Sequence, residues 1–208
     1  AATDYYKSAS STFKAKVNRG SCTVSFTDGT LSGTSGTLTY NGSNTTGTFG
    51  ASRTGNGTLS VSSSNENAAT VSLSNGTVTA TWVGAGSGDA TASTTITVSS
   101  GQTDQYNACS KTYTLTTAKA ANTLTLSAAS GSTTYPTSKT FTVSTNTSGG
   151  TLSVSPTSGA SNVAIASISG TTVTMTPQKS GSQTITVNSA ATAYYKSASA
   201  TYALTVNK

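Results

Sequence analysis

The sequence predicts an all-β chain of tandem β-sandwich domains, and three observations carry that prediction. Apolar residues make up 33% of the 208 and charged residues only 8%, yet Thr, Val and Ile recur at alternate positions among small polar residues, as half-buried strands require. Gly, Asn and Ser turn signals interrupt these runs at intervals of about ten residues, the spacing of a sandwich. Finally, one segment occurs three times: Thr3-Asp-Tyr-Tyr-Lys-Ser-Ala-Ser-Ser-Thr-Phe13, Thr103-Asp-Gln-Tyr-Asn-Ala-Cys-Ser-Lys-Thr-Tyr113 and Thr192-Ala-Tyr-Tyr-Lys-Ser-Ala-Ser-Ala-Thr-Tyr202.

The repeat sets the domain organisation. Its closing aromatic moves from Phe13 to Tyr113 to Tyr202, offsets of 113 − 13 = 100 and 202 − 113 = 89 residues. Periods of that size suit one sandwich per repeat, whereas solenoid units run about 20 to 50 residues. Thr39-Tyr40 matches Thr134-Tyr135 in the same order, and Gly57-Thr-Leu-Ser-Val-Ser62 matches Gly150-Thr-Leu-Ser-Val-Ser155. Two modules are expected, at 19–118 and 119–208, joined at Ala118-Lys119-Ala120-Ala121. Residues 1–18 match only the last hairpin of a module. They are expected to be the terminal hairpin of a preceding module or a donated strand.

Strands are predicted near 22–26, 36–40, 57–62, 70–73, 76–82, 90–99 and 110–117 in the first module. In the second they fall near 123–127, 139–144, 150–155, 164–169, 171–177, 182–187 and 200–206. No helix is predicted. Asn75-Gly76 is a tight-turn signal, because both residues tolerate the positive φ of a two-residue hairpin. Composition alone would also allow disorder, but disordered chains combine low hydrophobicity with high charge and few β-branched residues, unlike this one.

At this point the residues resemble a known family. Ser62-Ser-Ser-Asn-Glu-Asn-Ala-Ala-Thr-Val71, Asn75-Gly-Thr-Val-Thr-Ala80, Gly88-Asp-Ala-Thr91 and Thr95-Ile-Thr-Val98 are similar to the bacterial immunoglobulin-like domain family. That family's pattern is a Ser-Ser-Asn turn followed by Ala-Thr-Val, Gly-x-Val-Thr-Ala and Gly-x-Ala-Thr-Ile-Thr-Val strands. The second module keeps the outline in Ala164-Ile165 and Ser169-Gly-Thr-Thr-Val-Thr174 but replaces the turn with Ser155-Pro-Thr-Ser-Gly159. The resemblance implies tandem immunoglobulin-like β-sandwich domains, of the kind found in bacterial surface adhesins, wall-associated proteins and phage structural proteins. It implies a spacer or adhesion module and no shared chemical site.

Several function classes are disfavoured by the residues present. A net charge of +6 invites nucleic-acid binding, but apart from Lys7, Lys14, Lys16 and Arg19 the cations are scattered, without interleaved aromatics. No run approaches the roughly 18 apolar residues that cross a bilayer. No signal peptide or initiator Met precedes Ala1, as expected of a mature form or a fragment. With no His, the commonest general base and metal ligand is missing. The acids Asp4, Asp28, Glu66, Asp89 and Asp104 are too dispersed for the clustered oxygens of a calcium site. Neither a catalytic site nor a cofactor is expected. An isopeptide bond from Lys111 or Lys119, promoted by Glu66 or Asp89, is disfavoured because Glu66 sits in a turn and Asp89 among glycines. Gly84-Ala-Gly-Ser-Gly88 reads as a turn, since no helix or Lys follows as a phosphate loop needs. The Asn-x-Ser/Thr triplets at Asn41, Asn44, Asn56, Asn75 and Asn146 are those chance gives in so Ser- and Thr-rich a chain.

The sites that remain are few. Cys22 and Cys109 are the two cysteines, and each opens a strand. An intramodule disulfide is expected, because part of the first strand can run parallel beside the last; two reduced thiols are the alternative. A disulfide implies an oxidising, extracellular compartment, a cell or virion surface. Trp82 continues the parity of Val78 and Ala80 and is expected in the core. Tyr5, Tyr194 and Tyr195 are the candidate contact residues, in the turn before the last strand.

The function expected is a structural spacer, stalk or decoration module of an extracellular or virion protein. Its partners would be neighbouring modules or identical subunits. An adhesin or carbohydrate-binding module would instead use loops at one end of a sandwich, around Tyr194 and Gly159, to contact a surface glycan or host protein. In a third alternative, residues 1–18 assemble filaments by strand donation.

Overall fold

The computed structural model describes residues 10–208, in which sixteen strands and no helix occur. The first eight are β1 (Val24–Thr27), β2 (Ser35–Thr39), β3 (Thr46–Arg53), β4 (Leu59–Ser63), β5 (Ala69–Ser74), β6 (Thr77–Trp82), β7 (Ala92–Ser100) and β8 (Cys109–Ala118). The second eight are β9 (Leu124–Leu126), β10 (Ser130–Thr134), β11 (Lys139–Asn146), β12 (Leu152–Ser155), β13 (Ala164–Ser169), β14 (Thr172–Pro177), β15 (Gly181–Ser189) and β16 (Ala198–Asn207). They form four-stranded sheets in the orders β1-β3-β6-β5, β2-β8-β7-β4, β13-β14-β11-β9 and β10-β16-β15-β12. The chain is therefore all-β. Pairing within the sheets is antiparallel except for β2 with β8 and β10 with β16, which are parallel.

Each half encloses its own core. Val24, Phe49, Val78 and Ala80 from one sheet meet Leu38, Ile96, Val98, Tyr113 and Leu115 from its partner. Phe141, Val143, Val173 and Met175 meet Val154, Ile185, Val187, Tyr202 and Leu204 in the same way. Strict alternation produces this: in β6, Val78, Ala80 and Trp82 are buried while Thr77, Thr79 and Thr81 face outward. At the centre of each core lies a stacked aromatic pair. Phe49 and Tyr113 lie 4.8 Å apart between ring centroids, and Phe141 and Tyr202 lie 4.4 Å apart. Burying an aromatic of this size stabilises a domain by roughly 1.5–3 kcal/mol, a large share in cores where many of the other residues are Ala and Val. Both tyrosines point a hydroxyl at a glycine: a Cβ at Gly36 would collide with the Tyr113 oxygen, and one at Gly131 with the Tyr202 oxygen.

The Asn75-Gly76 hairpin forms as the residues dictate, with φ of 48° and 75° and Ser74 paired with Thr77. Trp82 is buried, and its indole N–H donates to the Ala118 carbonyl at 3.1 Å. Two strands carry no sequence prediction, β3 and β10. Their alternation is diluted by small residues at Gly47, Gly50, Ser130 and Gly131, and neighbours fill the space instead. A Cβ at Gly47 would meet Leu31, and one at Gly50 would meet Thr27.

Two expectations are corrected. The strand that runs parallel along the last strand is β2, whereas Cys22 precedes β1, whose partner is β3; the expected parallel approach of the Cys22 segment is limited to one bridge, Gly20 with Tyr106, ahead of β8. The loops around Tyr194 and Gly159 do not share an end of the sandwich. Leu152, where β12 begins, pairs with Ser189 next to the Tyr194 turn, and β12 then runs away from it to Ser155, opposite Thr186. The Gly159 loop therefore emerges at the far end, where the Gln178 N–H donates to the Val163 carbonyl at 2.7 Å.

Candidate functional site

The chemistry-bearing side chains gather at the Cys22–Cys109 pair and at the junction between the two halves. At the first, the chain approaching β1 is held beside the turn that precedes β8. The Gly20 N–H donates to the Gln105 carbonyl at 2.7 Å, and the Asn107 N–H donates to the Gly20 carbonyl at 3.0 Å. This parallel bridge, Gly20 with Tyr106, brings the next residues level with the start of β8. There Cys22 and Cys109 form a disulfide with a Cα–Cα distance of 5.4 Å across 87 residues of sequence. The bond ties the sheet containing β1 to the sheet containing β8.

The junction repeats the same entry. The Ala120 N–H donates to the Tyr194 carbonyl at 2.9 Å, and the Lys196 N–H donates to the Ala120 carbonyl at 2.8 Å. Lys119, one residue earlier and only 6% exposed, is enclosed between the halves. Its ammonium donates to the Gly88 carbonyl at 2.7 Å on one side and to the Thr192 carbonyl at 2.6 Å on the other. A buried cation is tolerated only when its donors find such acceptors. Asp89, beside Gly88, accepts from the Ser197 N–H at 2.6 Å and from the Ser197 hydroxyl. These Ser197 hydrogen bonds, with the Lys196 and Lys119 charges, hold the Asp89 carboxyl below its ordinary range.

Aromatic rings close the other side of the junction. Tyr40 stacks on Tyr194 with centroids 4.7 Å apart, leans on Trp82 at 5.0 Å and meets the edge of Tyr195 at 5.8 Å. Tyr40 is placed by its own N–H, which donates to the Ala118 carbonyl at 2.9 Å, the same oxygen that receives the Trp82 indole. Of the predicted contact residues, Tyr194 is thus half engaged, 48% of it remaining exposed, and Tyr195 is half-buried beneath the turn. Tyr5 lies outside the described residues.

No acid-base or nucleophilic pair emerges from this arrangement. Among the described residues, no cluster of three or more His, Cys, Asp or Glu side chains is placed to hold a metal. Asp28 accepts the Gly33 N–H at 3.0 Å, as a turn residue does. The two amines considered for isopeptide chemistry are otherwise engaged, Lys119 by carbonyls and Lys111 over the Phe26 ring at 4.8 Å. Sequence reasoning missed Tyr40, Asp89 and Ser197 as a group. The traces were present in the Tyr40/Tyr135 match and in the repeated Tyr-Tyr-Lys-Ser turn, but nothing local says which ends of the sheets face each other.

No family model matches the chain, and no curated protein matches it. Among solved structures it is similar to a pair of titin domains in complex with telethonin, at 17% identity over 88% of this chain and 96% of that one, TM-score 0.39. It is also similar to domains 4 and 5 of the S-layer protein SbsC, at 18% identity over 72% and 77%, TM-score 0.34. A Drosophila N-cadherin fragment, EC1–4, aligns at 10% identity over 83% of this chain and 48% of that chain, TM-score 0.34. With TM-scores below 0.5, these likenesses carry no part of the functional reading.

Proposed function

We propose that this chain is a structural spacer, two immunoglobulin-like sandwich modules at 19–118 and 119–208 held in series in an extracellular surface or virion protein. The observation that carries it is the enclosed Lys119, which binds a carbonyl of each half at once. A flexible linker would leave such a cation in water. The Asp89–Ser197 contact and the Tyr40–Tyr194 stack add a polar and an apolar clamp on the same junction. The motif resemblance to bacterial immunoglobulin-like domains supports the same role. The disulfide supports an oxidising compartment, and no helix among the described residues is long and apolar enough to cross a membrane. The function is non-catalytic, and its partners are neighbouring modules. Backbone residual dipolar couplings test it: a rigid spacer fits both halves to one alignment tensor, whereas two unrelated tensors overturn the proposal.

A second reading, an adhesion or carbohydrate-binding module, draws on the half-exposed Tyr194 ring. It borders a surface groove of about 280 Å³ with Tyr40, Gly42, Thr45 and Trp82. Binding on a glycan array that disappears in Tyr194→Ala but survives in Lys119→Met, which disturbs the junction without lining the groove, would favour this reading.

A further inference from the structure

Residues 10–18 have the pattern of a last strand but no sandwich to close. Aligned on the repeat, Phe13 stands where Tyr113 and Tyr202 stand, Ala15 where Leu115 and Leu204 stand, and Val17 where Thr117 and Val206 stand. In β8 and β16 those positions are buried, Tyr113 at 0% and Tyr202 at 1% exposure, whereas Phe13 is 90% and Val17 91% exposed. Lys14, Lys16 and Asn18 alternate with them, so one face of an extended segment would be apolar and the other polar.

The attachment of this segment to β1–β8 repeats the junction between the halves. Arg19 aligns with Lys119, and its Nε donates to the Thr103 carbonyl at 2.7 Å, as the Lys119 ammonium does to the Thr192 carbonyl at 2.6 Å. Gly20 bridges Tyr106 in parallel as Ala120 bridges Tyr195. A last strand followed by a cation that grips the next sandwich therefore occurs at both places. At Lys119 the strand in front is β8, seated between β2 and β7.

Resting on the spacer reading, we infer that residues 10–18 are the closing strand of a further sandwich body, one of this repeat that lacks a last strand of its own. The halves described here cannot be that body, because β8 and β16 already fill the slot between a parallel and an antiparallel neighbour in each. Phe13 carries no hydroxyl, so the partner position equivalent to Gly36 and Gly131 need not be glycine.

A chimera tests this. Residues 120–191, the second half without its last hairpin, are fused ahead of Thr3 of the full chain, so that residues 3–18 replace 192–207. A control fusion keeps 120–207 ahead of residue 19. Hydrogen exchange over residues 10–18 is expected to slow about 100-fold or more in the chimera relative to the unfused chain, as for strands within a cooperative unit. Phe13→Asp is expected to abolish that protection. Phe13→Tyr, which restores the residue found in the other two copies, is expected to keep it. The inference is overturned if the segment exchanges as fast in the chimera as in the unfused chain while the control fusion is protected, or if Phe13→Asp changes nothing. The dipolar couplings of 19–208 report separately on the spacer reading, so loss of one leaves the other measurable.

Discussion

The Lys119 ammonium lies 2.6 Å from the Thr192 carbonyl, a contact across 73 residues of sequence that joins the end of one core's last strand to the turn before the other's. Replacing Lys119 with Met keeps the stem and removes both charged hydrogen bonds, leaving the Gly88 and Thr192 carbonyls without this donor. Hydrogen bonds to charged groups contribute about 1.5–3 kcal/mol, so Lys119→Met is expected to cost about 2 kcal/mol in denaturant unfolding and to decouple the tumbling of the halves in NMR relaxation.

The aromatic side of the junction makes a separable contribution. Stacked pairs are worth about 0.5–1.5 kcal/mol beyond their burial. A double-mutant cycle on Tyr40→Ala and Tyr194→Ala is expected to return a coupling in that range. A coupling of zero would mean that the two rings, at 4.7 Å, are neighbours without being partners.

Acid is expected to loosen the junction through Asp89. Its carboxyl is held below the ordinary value of 3.8, chiefly by the Ser197 hydroxyl and N–H. A depressed folded value means the carboxylate contributes stability above the unfolded value and loses it as pH falls through the folded one. The Ser197 amide resonance should therefore follow this titration, with a midpoint below the ordinary carboxylate value of 3.8. In Asp89→Asn that low-pH shift should vanish.

The disulfide closes a separation of 87 residues, for which the chain-entropy relation gives about 4 to 5 kcal/mol. Reduction, or Cys22→Ser with Cys109→Ser, is expected to lower the stability of the first half by up to about that amount. The second half holds no cysteine and should unfold as before in calorimetry, which also tests whether the two cores are separate units.

Much of this was legible from residue order alone, and the reasons are local. Alternation along Val78, Ala80 and Trp82 sets which side chains go inside, because side chains in a strand point to opposite faces in turn. Asn75-Gly76 makes its hairpin because those two residues accept positive φ. Strands β3 and β10 were hidden because Gly47, Gly50 and Gly131 carry little hydrophobic signal; their identity answers to side chains that arrive from elsewhere, Leu31, Thr27 and the Tyr202 hydroxyl.

What the sequence by itself determined is the extended, alternating character of the chain, the composition of two separate cores and the repeat that relates them, since these follow from residue types at short spacing. Only the tertiary structure decided that β2 pairs along β8 while the Cys22 segment reaches only its start, that the Tyr194 and Gly159 loops sit at opposite ends, and that Lys119 is enclosed. The physical reason is that each of these depends on which sheet edges and loop ends meet. That outcome is fixed by packing and hydrogen-bond satisfaction among residues far apart in the chain.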